Sequence, residues 1–407
     1  VTSPAAPPPL RALLLENIHP SAVELLTSRG IEVSATHGAL DEDELVRAVR
    51  GVSLLGVRSK SEVSERVLAA GTDLLAVGAF CIGTDQIDLV SASRRGVAVF
   101  NAPYSNTRSV VEITLAEIIA LTRRLTEKND AMHAGVWDKA ADGAHEVRGR
   151  TLGIVGYGNI GAQLSVLAEA LGMRVLFFDT ADKLALGNAQ RCATMAELLA
   201  ASDVVTLHVD GRPANGDFFG REQFALMKDG ALFLNLCRGF VLDHEALREN
   251  LVNGRLGGAA VDVFNDEPKA KGHEFVSPLR GLPNVILTPH IGGSTEEAQA
   301  DIGTFVAGKL SEYVRDGSTP LAVNLPAISL AAAPGAHRLA HLHENVPGVL
   351  AEINSVLAAH EVNVEAQLLT TRGHLGYALT DVGVDYAEDV IATLAAMPQT
   401  VRLRVLS

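Results

Sequence analysis

Short apolar runs alternate with amphipathic stretches along this chain, and the alternation changes character twice. R-A-L-L-L, from Arg11, reads as a buried strand, followed by a helix from about Pro20 to Arg29 and a strand at I-E-V-S-A. D-E-D-E-L-V-R-A-V-R is helical, S-L-L-G-V-R is a strand ending at Arg58, and V-S-E-R-V-L-A-A is helical again. L-L-A-V-G-A and R-R-G-V-A-V-F-N close this series as strands. Buried runs separated by amphipathic helices indicate βαβ units and a parallel sheet. A long helical stretch from near Ser109 past Leu121 reads as a spacer.

A second series begins at Leu152 and runs through R-V-L-F-F-D, D-V-V-T-L-H, A-L-F-L-N-L, A-A-V-D-V and N-V-I-L-T-P. The helix from Thr295 to Arg315 is expected to return to the first domain and make it discontinuous. A-A-A-P-G-A (Ala331 to Ala336) reads as a linker by its Pro-Gly break. The last segment reads strand, helix, strand, strand, helix, strand, which is the split βαβ arrangement. The expected fold is therefore α/β: two doubly wound parallel-sheet domains, the first discontinuous, plus a C-terminal α+β ferredoxin-like domain. The boundaries expected are a tail at 1–10, a first domain of 11–106 and 295–328, a dinucleotide-binding domain of 107–294, a linker at 329–336 and a final module of 337–407.

Composition narrows the function classes. A hydrophobic fraction of 47% describes an aliphatic globular chain. The formal charge of −14 argues against nucleic acid as a partner, because phosphate backbones need clustered Lys and Arg. An anionic substrate must then be held by a few local cations. Cys81, Cys192 and Cys237 are widely spaced, which fits a reducing compartment, and no metal-ligand spacing is present. No apolar stretch approaches the roughly 18–20 residues of a membrane span. The Pro-rich start reads as a loose tail and not a signal peptide, so a cytoplasmic protein is expected.

L-G-I-V-G-Y-G-N-I-G supplies a dinucleotide fingerprint. Gly156, Gly158 and Gly161 follow an apolar strand and open a helix; they serve the tight turn, the approach of pyrophosphate, and close helix–strand packing respectively. Backbone N–H groups of Asn159 and Ile160 would face the phosphates. Asp179, ending the next strand, suits the ribose hydroxyls and repels a 2′-phosphate, which favours NAD over NADP. A turn cap is the plainer reading of Asp179.

Three later runs each end in a residue able to act on a carboxylate or move a proton: Arg238, Glu267 and His290. Ligands of open α/β sheets sit beyond the carboxyl ends of the strands, so parallel strands would bring all three to one edge. His290 suits proton transfer near neutrality. Glu267 would hold one imidazole nitrogen and raise the ring's pKa, and Arg238 has the fork geometry for a carboxylate. Singly, these are a core histidine, a surface glutamate and an ion-paired arginine; jointly they describe hydride transfer on a carboxylate-bearing alcohol. Arg58 and Lys60, two apart at a strand end, suit a phosphate, or are ordinary solvated charge. Asn106 lies where the first domain meets the second.

F-C-I-G-T-D-Q-I-D, N-A-P-Y-S-N-T-R-S-V, D-V-F-N-D-E-P, L-T-P-H-I-G-G-S-T-E-E-A-Q and H-L-H-E-N-V-P-G-V-L, with the glycine fingerprint, carry a resemblance from about Leu13 to the C-terminus. The chain resembles the D-isomer-specific 2-hydroxyacid dehydrogenases, in their short bacterial type with a C-terminal ACT domain. The resemblance implies Arg238, Glu267 and His290 as the catalytic set. It implies NAD contacts at Asn159, Ile160, Asp179, the strand end Leu236–Cys237–Arg238, Asp262, and His290, Ile291, Gly292 and Gly293. Substrate contacts fall on Arg58, Ser59, Lys60 and Asn106, with Trp137 and Lys139 reaching a neighbouring subunit. The implied activity is NAD-linked oxidation of 3-phospho-D-glycerate to 3-phosphooxypyruvate, the first step of L-serine synthesis, in a homotetramer; related members also reduce 2-oxoglutarate. The ACT domain implies L-serine as effector, at His343, Asn345 and Asn363. Val346 stands where relatives often carry a cation, Pro334-Gly335-Ala336 replaces paired glycines, and Cys237 replaces a small hydroxyl or alanine. Two other readings are a glyoxylate or hydroxypyruvate reductase and an NAD-sensing scaffold without turnover.

Overall fold

The computed structural model describes residues 9–268, 272–331, 335–383 and 388–406. Most of the expected tail (1–8), part of the expected linker (332–334, including Pro334), and 384–387, which hold the end of the strand expected at G-Y-A-L-T-D-V-G-V and the first residues expected for the last helix, lie outside the described residues. Two compact units result: described residues up to Ser105 together with those from Gln299, and Asn106–Ala298.

The first unit opens with β1 (Arg11–Leu14), α1 (Pro20–Ser28), β2 (Glu32–Ala35), α2 (Glu42–Ala48), β3 (Leu54–Val57), α3 (Glu65–Ala70), β4 (Ala76–Ala79), α4 (Leu89–Arg94) and β5 (Ala98–Asn101). The strands form a parallel sheet in the order β2-β1-β3-β4-β5. Strands β3, β4 and β5 are buried along their whole length, which is why they read as continuous apolar runs. The start of α2 is written into D-E-D-E: Asp41 accepts from the Glu44 N–H at 2.8 Å while Glu44 accepts from the Asp41 N–H at 3.0 Å.

The second unit holds α5 (Thr107–Thr122), α6 (Leu125–His133), β6 (Thr151–Val155), α7 (Asn159–Ala170), β7 (Arg174–Phe178), β8 (Gln190–Arg191), α8 (Met195–Ala201), β9 (Val204–Leu207), α9 (Arg221–Leu226), β10 (Ala231–Asn235), α10 (His244–Val252), β11 (Leu256–Val261) and β12 (Val285–Leu287). These strands are parallel throughout, in the order β12-β11-β10-β9-β6-β7-β8. The order reverses between β6 and β9, which is the switch point of a Rossmann sheet. Two details differ from the sequence pattern. The two-residue β8 is too short to announce itself, and the spacer helix is broken, because Arg124 adopts φ 53 between α5 and α6.

α11 (Glu296–Asp316) leads back to the first unit, where Ile302, Val306, Leu310 and Tyr313 enter its core beside Leu14, Ala22 and Phe100. Each such fully buried aliphatic side chain contributes about 1.5–3 kcal/mol. The C-terminal module is β13 (His337–Glu344), α12 (Val349–Ala359), β14 (Val364–Arg372), β15 (Leu375–Val382), α13 (Glu388–Ala395) and β16 (Thr400–Leu406), an antiparallel sheet ordered β14-β15-β13-β16. This module lies within the first unit. Leu342, Leu375, Tyr377 and Leu379 share a core with Phe100 and Tyr313, while Leu339, Ile353 and Leu394 make the module's own. Arg338 is buried against Asp381 at 2.7 Å and donates to the carbonyls of Asp316, Leu330 and Ala331. Arg404 donates to the Tyr313 and Val314 carbonyls.

Candidate active site and dinucleotide cradle

The turn after β6 has the space a dinucleotide needs. A Cβ on Gly156, whose φ is +93°, would lie 2.5 Å from the carbonyl oxygen of His208 beyond β9. One on Gly161 would lie 2.4 Å from the Gly156 oxygen, so α7 and the turn touch backbone to backbone. At Gly158, by contrast, nothing approaches within 4 Å; this position opens outward beside the N-terminus of α7. The first amides of a helix lack intrahelical acceptors, and Gly158 has no side chain to cap them. Asn159 and Ile160 therefore present donors to a pyrophosphate, and the residues fit the group. Asp179 ties the cradle together, accepting from the N–H of Tyr157 and of Ala181, both at 2.8 Å. It remains part exposed, so capping the turn does not bury its carboxylate.

At the neighbouring strand ends, β10, β11 and β12 lead into Arg238, Glu267 and His290. His290 Nδ1 and Glu267 Oε2 are 2.8 Å apart, and the other Glu267 oxygen accepts from the Phe264 N–H at 3.1 Å. Because one ring nitrogen is bound by the carboxylate, Nε2 is left for substrate. The Glu267 hydrogen bond holds the His290 pKa above its usual value; partial burial and the positive charge of Arg238 pull the other way. Burial alone would raise Glu267, but the bonds from His290 and the Phe264 amide outweigh it and hold that carboxyl low. Arg238 is half-buried, with Nη1 donating to the Cys237 carbonyl at 2.8 Å. Its field reaches both members of the pair.

His290 also carries a backbone outlier. Its φ is +54°, which is uncommon for a residue with a Cβ. The loop that imposes it is anchored on Asp262, which is 1% exposed. That carboxylate accepts from Thr288 Oγ1 at 2.6 Å and from the N–H groups of Ile291 and Gly292 at 2.8 Å each, while the His290 N–H donates to the Asp262 carbonyl at 2.8 Å. Asp262 thus holds the loop Ile291–Gly292–Gly293 from beneath. On the far side, Asn106 at the start of α5 rests on Gly293, where a Cβ would come 2.1 Å from Asn106 Nδ2.

Leu236 and Cys237 are buried, and the Cys237 N–H and thiol both lie 3.1 Å from Asn235 Oδ1. Burial pushes this thiol up to about 11, so it is a packing residue and not a nucleophile. Trp137 and Lys139 follow α6 and are exposed, Trp137 at 78%. In the first unit, Arg58 is half-buried and Ser59 and Lys60 are exposed on the turn after β3. In the C-terminal module the His343 ring is buried, with Nδ1 2.8 Å from the Glu344 carbonyl and Nε2 unpartnered. Asn345 donates to the Gly373 carbonyl at 3.1 Å, and Asn363 is exposed.

Two residues of this region escape sequence reading. His208, whose backbone carbonyl meets Gly156, is partly buried, and desolvation of its ring pushes it down to about 4. Glu117 is buried on the sheet-facing stripe of α5 with neither oxygen partnered; burial, aided by the charge of Asp262, raises it to about 8. The only signal for Glu117 was a charged residue on the apolar stripe Val110, Thr114, Leu121.

Residues 115–292 match the family model for the NAD-binding domain of D-isomer-specific 2-hydroxyacid dehydrogenases, and 339–402 match that for an acetohydroxyacid-synthase small-subunit-like ACT domain. The chain belongs to the D-isomer-specific 2-hydroxyacid dehydrogenase family, and it is an NAD-dependent oxidoreductase. Within that family it is 46% identical to D-3-phosphoglycerate dehydrogenase of Haemophilus influenzae over 398 residues, covering 98% of this chain and 97% of the relative. The Escherichia coli K12 enzyme of the same name is 46% identical over 400 residues, with the same coverage of 98% and 97%. Among solved structures, a Thermus thermophilus protein superposes with a TM-score of 0.70 at 31% identity, covering 77% of this chain and all (100%) of its own. An Aquifex aeolicus D-lactate dehydrogenase complexed with NAD and lactic acid gives 0.65 at 26% identity, covering 74% of this chain and 95% of that one. No helix among the described residues is long and apolar enough to cross a membrane.

Proposed function

We propose that this chain oxidises 3-phospho-D-glycerate to 3-phosphooxypyruvate with NAD, as the first step of L-serine synthesis. The near-full-length identity to enzymes named for that substrate supports the choice within the family. The observation that carries the chemistry is the His290–Glu267 pair at 2.8 Å, beside a glycine cradle suited to a dinucleotide. Held by the amides of Asn159 and Ile160 and by Asp179, NAD would supply the acceptor for the hydride on the substrate's C2. His290 Nε2 takes the hydroxyl proton as that C–H bond breaks, and Glu267 orients the ring and stabilises its charged form. Arg238 holds the substrate carboxylate through its fork. Arg58, Ser59, Lys60 and Asn106 hold the phosphate.

We read the protein as a cytoplasmic homotetramer in which Trp137 and Lys139 serve a neighbouring subunit's site. L-serine slows the enzyme through His343, Asn345 and Asn363, and 2-oxoglutarate is a second oxidant. The test follows NADH absorbance with 3-phosphooxypyruvate, hydroxypyruvate and 2-oxoglutarate, with and without L-serine. His290→Ala should bind NAD as before and lose about 10²–10⁴ in kcat. Unchanged turnover would remove His290 as the proton carrier. Equal kcat/KM for hydroxypyruvate and its phosphate would remove the substrate assignment.

A further inference from the structure

The turn carrying Arg58, Ser59 and Lys60 is built around a buried carboxylate. Glu16, just beyond β1, is 7% exposed. Its two oxygens accept four consecutive backbone N–H groups: Arg58 at 3.2 Å, Ser59 at 3.0 Å, Lys60 at 3.0 Å and Ser61 at 2.8 Å. β1 and β3 are neighbours at the point where the order β2-β1-β3-β4-β5 reverses. That is where open α/β sheets take ligands.

The surroundings hold Glu16 in place at a conformational cost. Glu16 and Asn17 adopt φ 61° and 54°, two successive left-handed residues with side chains. Their N–H groups donate to the carbonyls of Gly38 and Thr36 at 3.0 and 3.1 Å. The Arg58 carbonyl is engaged from the other side by Gln86 Nε2 and by the Cys81 thiol. The backbone of the turn is thus occupied, whereas the Arg58 guanidinium and the Lys60 ammonium have no hydrogen bond or ion pair among the described residues. Two unpaired cations on a turn whose donors are already used is an arrangement with a physical consequence. Successive N–H groups converging on a turn form an anion-binding concavity. Here that concavity is filled from within by the protein's own carboxylate.

We propose that Glu16 is a positioning residue for phosphate recognition: by consuming the four backbone donors of the 58–61 turn, it leaves recognition of a phosphate to the side chains of Arg58 and Lys60. The inference rests on the reading of this turn as the phosphate subsite. Selectivity follows from it. A free nest would accept small anions indiscriminately, whereas two side-chain cations set by the end of β3 demand a ligand that satisfies both. The negative charge behind the turn opposes any anion too weakly charged to engage both cations.

Glu16→Gln removes the charge and at least one acceptor while keeping the side chain's size. It should raise KM for 3-phosphooxypyruvate at least about ten-fold, leave kcat within two- to three-fold, and leave KM for hydroxypyruvate unchanged. A loss shared equally by both substrates would mark a merely structural role and overturn the proposal. Arg58→Ala, measured in parallel, separates the two levels of argument. If Arg58→Ala leaves both KM values alone, the phosphate subsite is wrong; if it raises KM for the phosphate while Glu16→Gln changes neither, the subsite stands and Glu16 does not organise it. Should Glu16→Gln fail to fold, amide hydrogen exchange on the unmodified protein decides: protection at residues 58–61 is expected, and exchange at the rate of an exposed loop would refute the arrangement.

Discussion

At the residue scale, the site works through charges held out of their ordinary range. Because the Glu267 bond is the first cause of the raised His290 pKa, oxidation, which needs a neutral ring, should gain rate as pH rises through that raised value. Glu267→Gln should move this limb to lower pH as well as lowering kcat; a limb that stays put in the kcat/KM profile would separate the pair. Glu117 tests the same physics on stability. Its folded pKa of about 8 lies above the ordinary 4.5, so the folded state keeps a proton that the unfolded chain gives up. Stability is then lost as pH rises between those values, by an amount on the order of a few kcal/mol. Glu117→Gln should be more stable than the parent at pH 9 by a similar margin, with the gap closing toward pH 5 in urea titrations. A gap independent of pH would show that Glu117 is ionised. Residues of this kind divide by legibility: His290 and Glu267 stand in turn-rich segments after apolar runs, while Glu16 looks like any surface acid after a strand, because its role depends on a turn 42 residues away.

At the element scale, the parallel strands are legible because burial on both faces demands continuous apolar runs. The β6 turn shows what the pattern adds. Gly156→Ala would meet two backbone obstacles, a φ of +93° and the His208 carbonyl at 2.5 Å, neither of which yields as a flexible side chain would. It should cost about 1–3 kcal/mol in strain and weaken NAD binding at least ten-fold by fluorescence titration; an unaffected affinity would mean the turn is not the cradle. The break at Arg124 was invisible for the opposite reason. Its flanks are good helix formers, and nothing local in T-R-R-L requires a left-handed residue.

At the scale of the whole molecule, the C-terminal module is tied to the first unit by a shared core and by arginines donating to carbonyls. The buried Arg338–Asp381 pair anchors this arrangement. Removing one partner strands a buried charge, so Arg338→Ala should cost about 3–5 kcal/mol in chemical denaturation; a loss under 1 kcal/mol would show the pair to be solvated.

What the amino-acid order determined alone is the set of parallel strands, the glycine fingerprint and the three groups at strand ends. Each is written in neighbouring residues, through burial, φ requirements or side-chain chemistry. Only the tertiary structure decided that Asp262 anchors the loop from below, that Glu16 fills the 58–61 turn, and that the last module shares a core with the first unit. Those facts depend on which distant segments meet, and a buried carboxylate differs from an exposed one only in what the rest of the chain packs around it.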